Sequence, residues 1–246
     1  MLLPNMTDEE KCREAFMSIP DVTGLIDEKL PIITDKYMRA THFPYFQRFA
    51  ITDKRHNEWY ILCLMPTKGL RRRRKFVSLA YTIYDFPRGH KEENKNAGKG
   101  VFMYNPEGMR IALETIHNED PYFSAFMDVI PHAIHRFTER YLVPNGLTEI
   151  SIHKKVEFLL KDWRHFDVAP DLHGDKSSVK HKEDGICPYD VIMKNGGILR
   201  GQFVDNLLIR FFTYISKDDL FDNQAERHAE MMAERAAMRA NGQIPF

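Results

Sequence analysis

Asn195-Gly196-Gly197 stands between two apolar runs, Tyr189–Lys194 and Ile198–Val204. Asn-Gly and Gly-Gly readily adopt the positive φ angles of tight hairpin turns, whose twist suits the flanking strands. No other local signal in the chain leaves so little freedom: the two runs are expected to pair antiparallel. Leu207–Ile215 follows as a third strand-like run, with Asp205-Asn206 placed to turn the second strand into it. A polar helix rich in Ala and Met, over about 217–240, closes the chain.

The same reading extends upstream. Residues 46–51, 57–65 and 76–86 carry Trp59, Tyr60, Ile61, Phe76, Val77, Tyr81, Ile83 and Tyr84, side chains that suit a pleated surface, and predict three strands. The polar stretch 87–100 (PRGHKEENKNAGKG) predicts a long hairpin loop, and 101–105 a further strand. Thr7 with Glu10 forms a capping-box pattern that opens a helix over 7–19, with Pro20 expected to end it. Helical spacing returns over Pro106–His117. A second helical stretch is predicted from near Pro121, broken near Pro131 and running on to Leu142, and a third over Glu149–Trp163. Residues 164–184 are polar and predict a long loop. Strands and helices thus come in blocks rather than in alternation. That order predicts an α+β fold: an antiparallel sheet in the N-terminal half, helices in the middle, and a C-terminal hairpin or meander followed by a helix. A division near residue 106 gives regions 1–106 and 107–246, and one continuous domain fits equally well.

Composition narrows the classes further. Thirty-five Lys and Arg balance 35 Asp and Glu over 246 residues, with 43% hydrophobic and 28% charged side chains. Such a chain has the make-up of a globular protein and not of a disordered segment, a collagen, a coiled-coil rod or a disulfide scaffold. Zero net charge removes the simplest argument for a nucleic-acid partner, a strongly basic domain. Cys12, Cys63 and Cys187 are odd in number and form no CxxC pair, which reads as reduced thiols in a cytoplasmic protein. The start, MLLPNMTDEEK, has no basic n-region or long apolar run of the kind a secretory signal needs. The apolar runs fall short of the ~18 residues a membrane helix needs, so no membrane partner is expected.

The chemistry-bearing stretch is 131–141, PHAIHRFTERY. On a helix His132, Arg136 and Arg140 recur at every fourth position and fall within about 80° of one another. His135 and Glu139 border that face, while Phe126, Ile130, Ile134, Phe137 and Tyr141 gather on the other. Pro131 suits a first helical position and would put His132 in the first turn, where unpaired N–H groups favour an anion and help keep an imidazole neutral. A histidine can move protons, and two arginines can neutralise charge on phosphoryl oxygens. The alternative is a solvated face on which Arg136, Glu139 and Arg140 form surface ion pairs. Downstream, the strand ending Thr213-Tyr214-Ile215-Ser216 displays hydroxyls just before a helix, with Ser216 a natural N-cap.

A helix reading His-x3-Arg-x3-Arg, followed by a glycine-containing hairpin and a last strand bearing Thr or Ser, resembles the barnase–EndoU–colicin–RelE-like nuclease superfamily of phage and mobile-element type, many of whose toxin and phage-associated members begin with a helix like HAxxRxxER. Here the match runs from His132 to Arg140, with RFFTYIS over 210–216, and spans roughly residues 121–224. The resemblance implies helices followed by a small antiparallel sheet. It also implies RNA cleavage without a metal or other cofactor, by attack of the 2′-hydroxyl on the adjacent phosphate. Carried over, His132 is the general base or acid, Arg136 and Arg140 bind the phosphate or order the site, and Thr213 hydrogen-bonds the phosphate. The polar 164–184 stretch reads as an insertion, and the first 120 residues lie outside the resemblance.

Two other readings remain. Between Arg48 and Lys99 thirteen Lys and Arg stand against five Asp and Glu, with aromatics interleaved and Arg71, Arg72, Arg73 and Arg74 in succession. A surface of that kind can hold single-stranded nucleic acid, in which case the chain is a non-catalytic binding or structural protein of a phage or mobile element. A metal site would draw on His132, His135 and Glu139, or on His165, His173 and His181, but no recognised ligand string occurs. No glycine pattern matches a dinucleotide or P-loop site.

Overall fold

The computed structural model describes residues 6–65, 77–86, 98–106, 126–162, 168–169, 187–204 and 208–240. The Arg71–Arg74 run, the helix expected beyond Pro106 and most of the loops expected at 87–100 and 164–184 lie outside the described residues. The fold is α+β. The chain divides into two compact units, Met1–Pro131 with Asp205–Ile209, and His132–Val204 with Arg210–Phe246. Among the described residues no helix is long and apolar enough to cross a membrane.

In the first unit α1 (Asp8–Arg39) precedes five strands: β1 (Tyr45–Thr52), β2 (Glu58–Met65), β3 (Val77–Phe86), β4 (Gly98–Tyr104) and β5 (Phe126–Val129). They pair antiparallel in chain order. The register aligns Phe49, Ile61, Ala80, Tyr104 and Phe126 in one row across the sheet. These side chains join Cys12, Ala15, Ile19, Val22, Ile33 and Tyr37 of α1 in one hydrophobic core. Helical spacing on one element and strand spacing on the other thus put their apolar faces together.

The capping box is present: Thr7 Oγ1 accepts from Glu10 N at 3.2 Å, and Thr7 N donates to Glu10 Oε2 at 2.7 Å. The helix does not stop at Pro20, however; it runs through Pro20 and Pro31 to Arg39. A proline inside a helix removes one hydrogen bond and crowds the preceding turn. Val22, Ile33 and Tyr37, all but completely buried beyond Pro20, contribute the apolar burial that offsets this cost. The helix expected from near Pro121 is also corrected. Phe126–Val129 is strand β5, paired Val101↔Val129 through Tyr104↔Phe126. All four of its residues are buried, and a fully buried strand shows no alternation by which to tell it from a helix.

One carboxylate ties α1 to the β1–β2 turn. Asp53 Oδ1 accepts from Arg55 N at 2.9 Å and Asn57 N at 2.8 Å. Its Oδ2 accepts from Asn57 Nδ2 at 2.9 Å, from Trp59 Nε1 at 3.1 Å and from Ser18 Oγ on α1. Burial alone would raise the Asp53 pKa, but the donors from Ser18, Asn57 and Trp59 together outweigh it and hold the group below its ordinary value. Beside it the guanidinium of Arg55 pairs with Glu14 of α1 and lowers that carboxyl from 4.5 to about 2. Further across the sheet, on β3, Tyr84 Oη donates to buried Asp128 at 2.6 Å, and the ammonium of Lys11 lies 4.8 Å from the centre of the Tyr84 ring. Gly100 makes room for that ring, since a Cβ there would come within 2.7 Å of Tyr84 Cε1.

Asp53→Asn should cost about 2–4 kcal/mol in urea unfolding, because an uncharged amide cannot satisfy the same converging donors. Glu14 and Asp53 both have depressed pKa values in the folded state. The Glu14 contribution is therefore complete above about pH 4.5 and is lost as pH falls towards about 2, and that of Asp53 is likewise present above its ordinary carboxylate range and lost in acid. Across that window the stability of the variant should fall less steeply with acid than that of the wild type.

Candidate functional site

The second unit builds its helices first. Helix α2 (Pro131–Phe137) continues into a π-helical turn (Thr138–Leu142) and a 3-10 turn (Val143–Asn145), and α3 (Ile152–Asp162) follows. Strands β6 (Val168–Ala169), β7 (Cys187–Ile192), β8 (Ile198–Phe203) and β9 (Leu208–Ile215) are neighbours in chain order, with β6–β7 and β7–β8 antiparallel. The Asn195-Gly196-Gly197 hairpin forms as expected: Gly196 has φ +84, Met193 N donates to Gly197 O at 2.8 Å, and Asn195 Oδ1 accepts from Gly197 N at 2.8 Å. A 3-10 turn (Lys217–Asp219) leads into α4 (Asp222–Ala240), and Leu220 and Met232 pack on Ile192 and Ile198.

Ala133, Ile134 and Phe137 form the buried side of α2, leaving His132 and Arg136 half-buried on its flank. Phe137 meets the ring of Tyr214 on β9 edge-to-face, centroids 5.2 Å apart. Tyr214 in turn lies over Gly197, where a Cβ would sit 2.5 Å from Tyr214 Cζ. The hairpin glycine therefore serves a second purpose: it clears the space for the residue that seats α2 on the last strand.

The structure places the sequence-predicted residues as follows. His132 stands one turn before Arg136 on α2. Arg136 Nη1 lies 2.7 Å from Glu139 Oε2, and His135 Nε2 is 4.0 Å from the same oxygen. The hydrogen bond from Arg136 lowers the Glu139 pKa. The surface ion pair that the sequence offered as an alternative is thus formed between Arg136 and Glu139. Arg140 takes a different course. It sits in the π-turn, in which Val143 N donates to Thr138 O, so it is offset from the one-turn stacking of a regular helix. Its Nη1 donates to Tyr214 O at 3.2 Å and lies 3.4 Å from Asp219 Oδ2. Thr213 is half-buried beside Tyr214, but strand alternation directs its side chain to the opposite face of β9 from the ring that meets α2.

Asp219 is the partner that the sequence reading missed. No spacing rule links it to Arg140, which is 79 positions away, and only the fold brings them together. Ser216 precedes the 3-10 turn but makes no side-chain cap bond to its backbone; its Oγ donates to Asp219 Oδ2 at 2.9 Å instead. Elsewhere in the unit, Asp190 and Arg200 are cross-strand partners joined by an ion pair at 3.4 Å. Among the described residues no three His, Cys, Asp or Glu side chains gather as a metal site would require. His165, His173 and His181 lie outside the described residues. No family model matches the chain, and no curated protein or solved structure matches it significantly.

Gly197→Ala should destabilise the protein by about 1–3 kcal/mol in urea unfolding, by forcing the Tyr214 ring out of place. In a Tyr214→Leu background the same substitution should cost distinctly less. Equal costs in the two backgrounds would mean that the Tyr214 ring is not what the glycine makes room for.

Proposed function

We propose that the second unit is a nuclease-like domain that cleaves RNA without a metal, with His132 and Arg136 as its reacting pair. The observation that carries this reading is the order and seating of its parts. A helix with His132 and Arg136 one turn apart on a half-exposed flank is followed by α3 and four neighbouring strands, and Phe137 and Tyr214 seat that helix on the last strand. This is the arrangement that the superfamily resemblance implies.

In this reading the imidazole of His132 takes the proton from a ribose 2′-hydroxyl as that oxygen attacks the neighbouring phosphorus. The bond to the 5′-oxygen breaks, and the leaving oxygen regains a proton from the imidazolium or from water. The products are a 2′,3′-cyclic phosphate and a 5′-hydroxyl. The guanidinium of Arg136 neutralises the charge that builds on the non-bridging oxygens. To do so it exchanges the Glu139 carboxylate for a phosphate oxygen as its partner. Thr213 is not assigned to the phosphate, because alternation along β9 turns its side chain away from the face on which α2 lies.

A second reading is favoured by one observation: Arg136 and Arg140 both stand in ion pairs with acids of this chain. In that case the chain is a non-catalytic nucleic-acid-binding or structural protein of a phage or mobile element, and Arg71–Arg74 is its natural contact region. Incubation of single-stranded RNA with the protein in excess EDTA separates the two. The nuclease reading expects cleavage that leaves a 2′,3′-cyclic phosphate. It expects His132→Ala to slow cleavage by about 10²–10⁴-fold and Arg136→Ala by about 10²-fold or more. RNA binding without cleavage would establish the second reading. Neither binding nor cleavage would overturn the nuclease reading and the nucleic-acid-binding form of the second.

A further inference from the structure

We infer that Arg140, although it shares the helical repeat of His132 and Arg136, is a positioning residue: its guanidinium clamps the π-turn to the end of β9 and does not bind substrate phosphate. This inference rests on the nuclease reading of the second unit and divides the roles of its two arginines.

Three observations carry it. The first is where the donor goes. Nη1 of Arg140 reaches a main-chain carbonyl, Tyr214 O, at 3.2 Å, and a carboxylate, Asp219 Oδ2, at 3.4 Å. One nitrogen therefore joins the π-turn, the last residues of β9 and the 3-10 turn that follows. The second is that the receiving carboxylate is itself held. Asp219 Oδ2 accepts from Ser216 Oγ at 2.9 Å, and Asp219 N donates to Ser216 O at 3.1 Å. Glu139, the partner of Arg136, is about as exposed as Asp219 but differs in where it stands: it lies on the same helical segment as its arginine, three residues away. The third is the π-turn. Widened turns recur at functional positions, and here the widening takes Arg140 off the row that a regular helix would give it. Thr138 Oγ1 supports the entry to that turn by donating to Ile134 O at 2.7 Å.

The consequence is mechanical. The Phe137–Tyr214 contact and the Arg140–Tyr214 hydrogen bond hold the helix to the same strand residue, one through its ring and the other through its carbonyl. Two such points fix the rotation of the helix about its own axis, which one alone would leave free. That rotation aims Arg136 and His132, and small errors in aim are costly in catalysis.

Opposite signs separate a clamp from a phosphate ligand. If Arg140 bound phosphate, Asp219→Asn would relieve it of a competing anion and raise RNA affinity, and Arg140→Ala would lower the salt dependence of binding by about 0.7 in log K against log salt. A clamp predicts neither. Cleavage and binding of single-stranded RNA should be measured for wild type, Arg136→Ala, Arg140→Ala, Arg140→Lys and Asp219→Asn, with circular dichroism to select the folded variants. Arg140→Ala, Arg140→Lys and Asp219→Asn should each lower kcat by about 10–100-fold with KM and salt slope unchanged, because lysine cannot copy the guanidinium fork. Arg136→Ala alone should reduce the slope. A reduced slope in Arg140→Ala, or tighter binding by Asp219→Asn, would overturn the clamp while leaving the nuclease reading intact. Should Arg140→Ala fail to fold, Arg140→Lys and Asp219→Asn still decide the matter. Wild-type protein that neither binds nor cleaves RNA would remove the nuclease reading and this inference with it. Binding without cleavage would remove the catalytic role.

Discussion

The Asp53 carboxylate is the constraint around which the first unit is organised. Five hydrogen-bond donors converge on its two oxygens, three from side chains and two from the backbone of the turn it opens. A carboxylate buried to this degree would be costly if unpaired. Here the donors come from α1, from the turn and from Trp59 at the head of β2, so the charge is satisfied only when all three are in place. The apolar row from Phe49 to Phe126 supplies adhesion without direction, since burial of hydrophobic surface is indifferent to fine geometry. Asp53 supplies the direction. It fixes where along the sheet the long helix lies, and the prolines inside that helix are tolerated within a position already fixed on both sides.

The second unit inverts the same device. Its hub is a cation: Arg140 gathers a carbonyl and a carboxylate from segments more than seventy residues downstream. In both units an aromatic ring beside the polar hub adds the packing that the hub alone lacks, Trp59 at Asp53 and Tyr214 at Arg140. This pairing is economical because a directional hydrogen bond and a buried ring fix different degrees of freedom. The first sets register and rotation, and the second sets distance.

The sequence was legible wherever a local rule governs. The capping box at Thr7 and Glu10, the β1–β4 strand cores and the Asn195-Gly196-Gly197 hairpin all follow from chemistry within a few residues, and the block order of strands and helices gave the α+β class. Legibility failed where long-range burial overrides a local rule. Pro20 signals a stop, yet Val22, Ile33 and Tyr37 keep α1 going. Phe126–Val129 carries no alternation because both of its faces are buried, and so it read as helix. At the candidate site the His-x3-Arg-x3-Arg spacing placed three side chains along one segment, which the structure retains. Spacing could not report the π-turn, the acid that meets Arg140, or the face of β9 that Thr213 occupies. Those depend on which strand the segment packs against.

This difference bears on how a chain with no net charge could handle a polyanion. Its arginines at the candidate site already face acids of the same chain: Arg136 meets Glu139 three residues on, and Arg140 meets Asp219 in the 3-10 turn after β9, the two carboxylates being about equally exposed. In the proposed reading a phosphate at Arg136 exchanges for Glu139, a single ion pair within one helical segment, and such pairs are weak. A phosphate that met Arg140 would have to break its hydrogen bond to the Tyr214 carbonyl as well as its ion pair with Asp219, and so release the π-turn from the end of β9. Equal formal charge on the two guanidiniums thus conceals unequal availability. What sets that availability is the partner each arginine already has, and for Arg140 only the fold supplies that partner.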